Sequence, residues 1–167
     1  MRTLSIDIET YSSADLKSAG TYKYAEDKDF QVLLFAYAYD DEPVRVIDMA
    51  QGEDIPASVV ADLTSPDVLK TAFNANFEIT CLRTLFPEID PDQWECTMIK
   101  AGMLGLPMNL DGMAKALNLD NQKMAAGKAL IRYFSIPCRP TIRNGGRTRN
   151  LPKHDLEKWE LFKEYCA

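Results

Sequence analysis

The sequence predicts an α/β domain built on a mixed β-sheet. Three segments, residues 3–8, 31–39 and 44–47, have the composition of strands and follow one another in the first third of the chain, which predicts an antiparallel meander. After residue 55 helical and strand patterns alternate, as they do where parallel strands and flanking helices extend a sheet. The length of 167 residues suits one such domain, so we expect residues 1–167 to form a single unit.

The meander is predicted from two different strand patterns. In the first strand the even-numbered residues from Leu4 to Ile8 are apolar and the odd-numbered residues from Ser5 to Glu9 are polar, so one face should be buried. Residues 31–39 (QVLLFAYAY) are almost continuously apolar, which is typical of a central strand. Residues 40–43 (DDEP) predict a hairpin turn. The polar, turn-rich residues 11–30 predict a long loop.

The second part of the chain predicts helices separated by short strands. Strands are expected at residues 68–73 and 94–98, and helices at 56–63, 75–86, up to 104, 109–117, 122–134 and 155–166. Asp155 is the expected N-cap of the last helix. Residues 137–152 contain Gly145-Gly146 and three prolines, and they predict an exposed loop.

Charge is distributed unevenly along the chain. The net charge of −6 argues against a protein that holds nucleic acid by bulk electrostatics. Between Asp120 and Asp155, however, there is no acidic residue, while the following eight are basic: Lys123, Lys128, Arg132, Arg139, Arg143, Arg147, Arg149 and Lys153. An acidic body with one cationic segment suits an enzyme that gathers carboxylates on metals and touches phosphates elsewhere. A solvated basic surface segment explains the charge equally well.

Cysteine usage and hydropathy limit the cellular setting. The four cysteines are far apart and form no C-x-x-C pair, which favours reduced thiols in the cytoplasm and argues against a zinc site. The first residues have no signal-peptide pattern, and no run approaches the roughly 18 apolar residues of a membrane span. We therefore expect a cytoplasmic protein that does not interact with a membrane.

Three local patterns carry candidate chemistry. Asp7 and Glu9, two apart on a strand, should project together, and a divalent cation such as Mg²⁺ or Mn²⁺ relieves the repulsion of paired carboxylates. Glu78 lies in the first turn of a predicted helix, where the helix dipole favours a carboxylate. Tyr165 lies at the end of the last helix, in its apolar stripe. Taken singly, each pattern has a structural reading that is at least as good: water-facing acids, a helix N-terminal acid and a packing tyrosine.

The order of the motifs resembles the DEDD superfamily of 3′→5′ exonucleases. Its first two motifs, D-x-E-T on a strand and N-x-x-F-[DE] opening a helix, read here as residues 7–10 (DIET) and 74–78 (NANFE). In its tyrosine branch the third motif is Y-x-x-x-D, and residues 165–167 (YCA) match the first three positions. The histidine branch needs H-x4-D, but Trp159 stands at that distance from the only histidine, His154.

Other stretches are similar to the N-terminal part of phage family A DNA polymerases, so the resemblance covers nearly the whole chain. They are residues 72–78 (AFNANFE), 94–97 (WECT), 105–110 (GLPMNL), 122–134 (QKMAAGKALIRYF) and 145–155 (GGRTRNLPKHD). The resemblance implies a ribonuclease H-like sheet and a proofreading domain that hydrolyses the terminal phosphodiester of a single-stranded DNA 3′ end. The natural partner would be the polymerase domain of the same, longer chain.

Two-metal hydrolysis is the mechanism that the resemblance implies. It assigns Asp7, Glu9 and Glu78 to Mg²⁺ or Mn²⁺ and Tyr165 to the attacking water. Substrate contacts are expected from five residues: Thr10, Asn74, Phe77, Arg143 and Arg147. The loop that carries the two arginines has two alternative partners, the DNA backbone and a polymerase domain. Glu78 departs from the aspartate that is commoner in the second motif.

The fourth carboxylate of the resemblance, four residues after Tyr165, is not in the sequence. We therefore expect a fragment of a longer polymerase, either cut or natural, with an incomplete metal site and weak or absent nuclease activity.

Three other functions are consistent with parts of the pattern. A free-standing DEDD exonuclease or exoribonuclease would share every motif. A catalytically silent scaffold domain of a polymerase is also possible, although Asp7, Glu9 and Glu78 are all present. A ribonuclease H would share the fold class, but the N-x-x-F-E motif is not part of its pattern.

Overall fold

A computed structural model describes residues 1–119 and 127–167. The five strands are β1 Arg2–Tyr11, β2 Gln31–Tyr39, β3 Arg45–Ile47, β4 Val68–Ala72 and β5 Trp94–Cys96. The helices are α1 Leu16–Ala19, α2 Thr21–Ala25, α3 Ala57–Thr64, α4 Asn76–Leu82, α5 Thr97–Met103, α6 Leu110–Ala116, α7 Gly127–Phe134 and α8 Leu156–Cys166. Residues 122–126 of the predicted helix 122–134 lie outside the described residues.

The sheet has the order β3-β2-β1-β4-β5. The first three strands are antiparallel, whereas β4 and β5 run parallel to β1. This arrangement confirms the predicted mixed sheet and its meander. Because β1 pairs on both sides, it lies at the centre of the sheet, and its residues are held by hydrogen bonds to two neighbours.

Both faces of the sheet are covered. One hydrophobic cluster joins the even-numbered residues Leu4, Ile6 and Ile8 to α3 and α4, and a second joins Tyr11 and part of β2 to α7 and α8. Trp159, Phe162 and Phe134 form the aromatic centre of the second cluster, with ring centroids 4.8–5.7 Å apart. The near-continuous apolar character of β2 follows from its contact with both clusters.

The prediction of a long loop at residues 11–30 is wrong, because the segment contains α1 and α2. Asp15 caps α1 by accepting a hydrogen bond from the Ser18 amide, and Gly20, with φ of 79°, separates the two helices. Tyr24 and Ala25 are buried against the rest of the domain. Helices of one turn are stabilised by such tertiary packing, and they leave little periodicity in the sequence.

The last helix is joined to the far edge of the sheet by a buried polar contact. The Trp159 indole Nε1–H donates to Asp48 Oδ2 at 2.6 Å, and both residues are buried. Asp48 directly follows β3 and also accepts hydrogen bonds from the backbone and side chain of Gln51. Within residues 1–119 and 127–167, no helix has the length and apolar character needed to cross a bilayer.

Replacing Asp48 with alanine should destabilise the domain. The change leaves the buried Trp159 N–H without its acceptor, so we expect the free energy of unfolding to fall by about 1–3 kcal/mol in urea titrations. Asp54→Ala, at an exposed position in the following loop, should change it by less than about 0.5 kcal/mol. Equal stabilities for the two variants would show that the contact between α8 and the sheet edge contributes nothing.

Candidate active site

Asp7 and Glu9 project from the face of β1 that α8 covers. The even-numbered residues of the strand enter the cluster on the opposite face, so the two carboxylates point to the same side, as predicted. Asp7 is exposed to solvent, whereas Glu9 has only 9% of its surface accessible. The register with β2 shifts between Glu9 and Thr10. Such bulges bend a strand locally and change the direction of its side chains.

The third carboxylate reaches the same region from α4. The chain leaves β4 and turns at Asn74, whose φ of 68° is a left-handed conformation that asparagine tolerates better than most residues. Glu78 follows in the first turn of α4 and is 97% buried, with a relative exposure of 3%. Its Oε2 atom has no hydrogen-bond partner in the described structure. A buried carboxylate oxygen without a partner is unusual and costly.

Electrostatic coupling connects Glu78 to the two acids on β1. Burial raises the pKa of Glu78 to about 9, against a usual value near 4.5, and the charges of Asp7, Cys96 and Glu9 add to the effect. Without a cation, the Glu78 carboxyl therefore keeps its proton at neutral pH. Asp7 and Glu9 thus lie near enough to Glu78 for their charges to act on its carboxyl group, although the three residues come from two separate elements.

The end of α8 closes the site on its other side. The Tyr165 ring lies parallel to that of Phe162, with centroids 6.3 Å apart and an interplanar angle of 7°. Cys166 is buried, and burial together with the charges of Asp7 and Glu9 raises the pKa of its thiol above the usual range. The last turn of α8 therefore faces the strand carboxylates.

Gly127, at the start of α7, sets the position of the tyrosine. A Cβ atom on Gly127 would lie only 2.1 Å from Cε2 of Tyr165, so any larger residue would have to move the ring. Glycine is thus required at this position because the side chain of Tyr165 approaches it closely. Its φ angle is one that other residues also adopt. Nothing in the local sequence pattern predicts this contact, because 38 residues separate the two positions.

A cavity of about 360 Å³ opens beside Asp7 and Tyr165. Its remaining walls are mainly apolar: Ile6, Phe73, Leu110, Met113, Ala114, Leu119, Cys166 and Ala167. The volume falls within the range of small-ligand pockets, in which a few polar groups orient a ligand between apolar walls. None of the α6 residues of this wall was predicted to line the site, since their spacing fits an ordinary packed helix.

The donor chemistry of the trio fits a hard divalent cation, which prefers carboxylate oxygens. The Glu78 oxygen without a partner is the observation that favours such a group, because a cation would compensate the buried charge. Among residues 1–119 and 127–167, however, no group of three or more His, Cys, Asp or Glu side chains lies in an arrangement that would hold a metal ion. Asp7, Glu9 and Glu78 are thus neighbours, but their side chains are not arranged as a complete set of metal ligands.

Two predicted substrate-binding residues have structural contacts. The Thr10 hydroxyl is buried and lies 2.9 Å from the hydroxyl of Tyr24. Phe77 is half-buried, packs on the cluster of the α4 face, and has its ring centroid 6.0 Å from that of Tyr24. Asn74 is exposed at the turn before α4. Contact of these three residues with a nucleotide stays a prediction.

The two predicted arginines differ from each other in their surroundings. Arg143 is exposed. Arg147 is half-buried, and its guanidinium donates to Asn150 Oδ1 at 2.8 Å and to the Asn144 carbonyl at 3.2 Å. The structure therefore gives Arg147 a role in holding the loop, while its contact with substrate also stays a prediction.

The fold is that of known exonucleases. The structure of Brucella melitensis NrnC with bound Mg²⁺ has a TM-score of 0.55 at 17% identity, over 74% of this chain and 56% of that chain. Trypanosoma brucei RNase D in complex with GMP has a TM-score of 0.55 at 17% identity, over 98% and 48%. Escherichia coli RNase D has a TM-score of 0.50 at 20% identity, over 72% and 29%. The chain therefore has the ribonuclease H-like fold of the DEDD exonucleases.

The sequence comparison is more specific. Over 167 residues, 99% of this chain, the sequence is 62% identical to a DNA polymerase of Bacillus phage SP02. The chain spans 26% of the length of that polymerase. No protein-family model matches the sequence. The predicted resemblance to DEDD exonucleases is confirmed by the fold. The predicted resemblance to a phage DNA polymerase is confirmed by the sequence.

Gly127→Ala should destabilise the domain only while Tyr165 keeps its ring. The added methyl group must displace the ring, and overpacking of this kind costs about 1–3 kcal/mol of unfolding free energy. In a Tyr165→Ala background the same change should be neutral or stabilising, because alanine is the better helix former by about 1 kcal/mol. Urea unfolding of the four proteins measures this coupling. Equal effects in both backgrounds would contradict the close contact.

Glu78→Gln should stabilise the metal-free domain increasingly as pH rises. The folded-state pKa of Glu78 is raised, so from about pH 4.5 to about pH 9 the unfolded chain releases a proton that the folded chain keeps. The wild-type chain therefore loses stability through this window, and the variant does not.

Thermal unfolding in EDTA at pH 5.5 and pH 8.5 tests this expectation. The melting temperature of Glu78→Gln relative to that of the wild type should be higher at pH 8.5 than at pH 5.5. Glu88→Gln, at an exposed position outside the site, serves as the control and should follow the wild type. If the difference between Glu78→Gln and wild type is the same at both pH values, Glu78 does not titrate as described.

Proposed function

We propose that this chain is a metal-dependent 3′→5′ exonuclease domain that proofreads for a phage-type DNA polymerase. The proposal is supported by the electrostatic coupling of Glu78 to Asp7 and Glu9 and by the cavity that Asp7 and Tyr165 line together, in a domain with the fold of exonucleases. The 62% identity to a phage DNA polymerase supports DNA as the substrate and a polymerase as the larger protein. Such a domain would act in the cytoplasm of the infected bacterium.

Asp7, Glu9 and Glu78 would hold the divalent cations, Mg²⁺ or Mn²⁺. When bound, these ions supply an activated water and stabilisation of the departing 3′ oxygen. Asp7 is the exposed member of the trio and lines the cavity, so it is the carboxylate that an incoming phosphodiester meets first. Glu9 and Glu78 are buried, which limits their movement and keeps competing water away.

Tyr165 would orient the attacking water. Its ring is fixed by Phe162 on one side and by the Cα of Gly127 on another, so the position of its hydroxyl is limited by packing. A fixed donor at the reacting centre lowers the entropic cost of reaching the transition state. The apolar wall from α6 would receive the base of the terminal nucleotide, because bases are flat and largely apolar on their faces.

Cleavage of a 5′-labelled single-stranded DNA oligonucleotide in Mn²⁺ tests this function. We expect a ladder of products shortened from the 3′ end, and Asp7→Asn should reduce the rate at least about a hundredfold through loss of a metal ligand. Asp67→Asn is the matched control, because it removes the same charge at an exposed position. Asp67 lies before the start of β4, whereas the site residue Glu78 follows the other end of that strand.

An extended chain, with an aspartate four residues after Tyr165, should cleave faster than this chain. The added aspartate completes Y-x-x-x-D and contributes a fourth carboxylate. If neither chain shortens the oligonucleotide and neither binds Mn²⁺ in a titration, the domain is a silent scaffold. Shortening of RNA in preference to DNA would instead indicate an exoribonuclease.

A further inference from the structure

The basic loop, defined as residues 138–150, has a hydrogen-bonded framework of its own. The Cys138 amide donates to the Thr148 carbonyl at 2.7 Å and closes the loop. The side chain of Asn144 lies at its centre, where it makes four bonds of 2.8–3.3 Å to the backbone of Arg139, Thr141, Gly146 and Arg147. A loop that satisfies its own backbone in this way holds one shape.

Two contacts attach the basic loop to the body of the domain. The Arg149 guanidinium lies 3.8 Å above the centroid of the Tyr11 ring and donates to Gln31 Oε1 at 2.6 Å. Asn150 Nδ2 donates to the carbonyl of Tyr133, at the end of α7, at 2.9 Å. The loop is therefore fixed to the ends of β1 and β2, and the Arg149 charge is used in this attachment.

The outer part of the loop presents a fully exposed apolar side chain between two exposed cations. Ile142 has a relative exposure of 102%, and both Arg139 and Arg143 are exposed. Neither of these two guanidinium groups takes part in the bonds that build the loop. An isoleucine held in water on a rigid loop, in the acid-free segment of an otherwise acidic chain, suits a contact with an apolar, negatively charged partner.

The attachment places this surface on the side of the sheet from which Asp7 projects. Tyr11 follows Asp7 by four residues on β1, which corresponds to about 13 Å along the strand. Tyr11 packs in the cluster that includes Cys166, and Cys166 lines the cavity beside Asp7. A strand of nucleic acid that ends at Asp7 and follows β1 therefore reaches the point where the loop is attached within a few nucleotides.

We propose that the basic loop is a second binding site for the substrate strand, upstream of the terminal nucleotide. Arg139 and Arg143 bind phosphates, and Ile142 packs against a base, without selecting its sequence. Sites for single strands combine cationic groups with apolar platforms in this manner. The proposal rests on the proposed function for its direction along the strand, but the binding itself can be measured without cleavage.

The first experiment compares binding of fluorescein-labelled oligo(dT) of sixteen nucleotides and of a labelled dinucleotide, in EDTA, by fluorescence anisotropy. The double variant Arg139→Ala/Arg143→Ala should bind the 16-mer about tenfold more weakly at low salt, and the dependence of log K on log salt should fall by about 0.7 for each lost phosphate contact. Its affinity for the dinucleotide should not change, because two nucleotides do not reach the loop.

The control is Lys17→Ala/Arg45→Ala, which removes the same charge from exposed positions outside the loop and should leave both affinities within twofold. Ile142→Ser should weaken 16-mer binding without changing the salt dependence or the melting temperature. Asn144→Ala, which removes the centre of the loop framework, should reproduce the arginine phenotype on the 16-mer alone.

An unchanged salt dependence in Arg139→Ala/Arg143→Ala, or an equal loss of dinucleotide binding, would overturn the proposal. So would a loss of self-association, measured by light scattering, with unchanged oligonucleotide binding, since the loop would then contact a second copy of the chain. The proposed function can fail separately. Absence of 3′ shortening together with the predicted loss of 16-mer binding would leave the loop as a nucleic-acid site in a domain that does not cleave.

Discussion

The burial of Glu9 and Glu78 beside Asp7 is the constraint on which the rest of the site depends. Removing carboxylates from water is unfavourable, and placing them next to one another adds repulsion. The fold holds them there because β1 is paired on both sides and α4 begins directly after β4, so neither element can move away without breaking the sheet. The raised pKa of Glu78 is the measurable consequence in the metal-free chain. In the proposed function, a divalent cation would relieve the same repulsion.

Helices α7 and α8, which cover the face of the sheet from which Asp7 and Glu9 project, determine where the remaining site residues lie. The aromatic cluster around Trp159 fixes α8, and the contact with Asp48 extends that attachment to the far edge of the sheet. The end of α8 then brings Tyr165 and Cys166 to the carboxylates. α7 contributes Gly127, a residue without a side chain at the point where the tyrosine ring passes. Packing therefore determines the position of the candidate water-orienting group.

Positive and negative charges lie in different parts of the domain: the cations in the basic loop and the carboxylates at the candidate active site. In the proposed function, a site built from acids would repel its polyanionic substrate, and the net charge of the chain would add to the repulsion. The basic loop places cations at a distance from the carboxylates, on the same side of the sheet. In the proposed arrangement, these cations would attract phosphates without forming ion pairs with the carboxylates. The framework around Asn144 keeps these charges in place.

The sequence by itself determined the strands of the meander, the shared direction of Asp7 and Glu9, and the turn that carries Glu78, because each of these follows from the spacing of neighbouring residues. The contact of Gly127 with Tyr165, the attachment of the loop through Arg149, and the short helices of residues 11–30 were decided only by the tertiary structure. They depend on contacts between residues distant in the chain, and periodicity contains no information about such contacts.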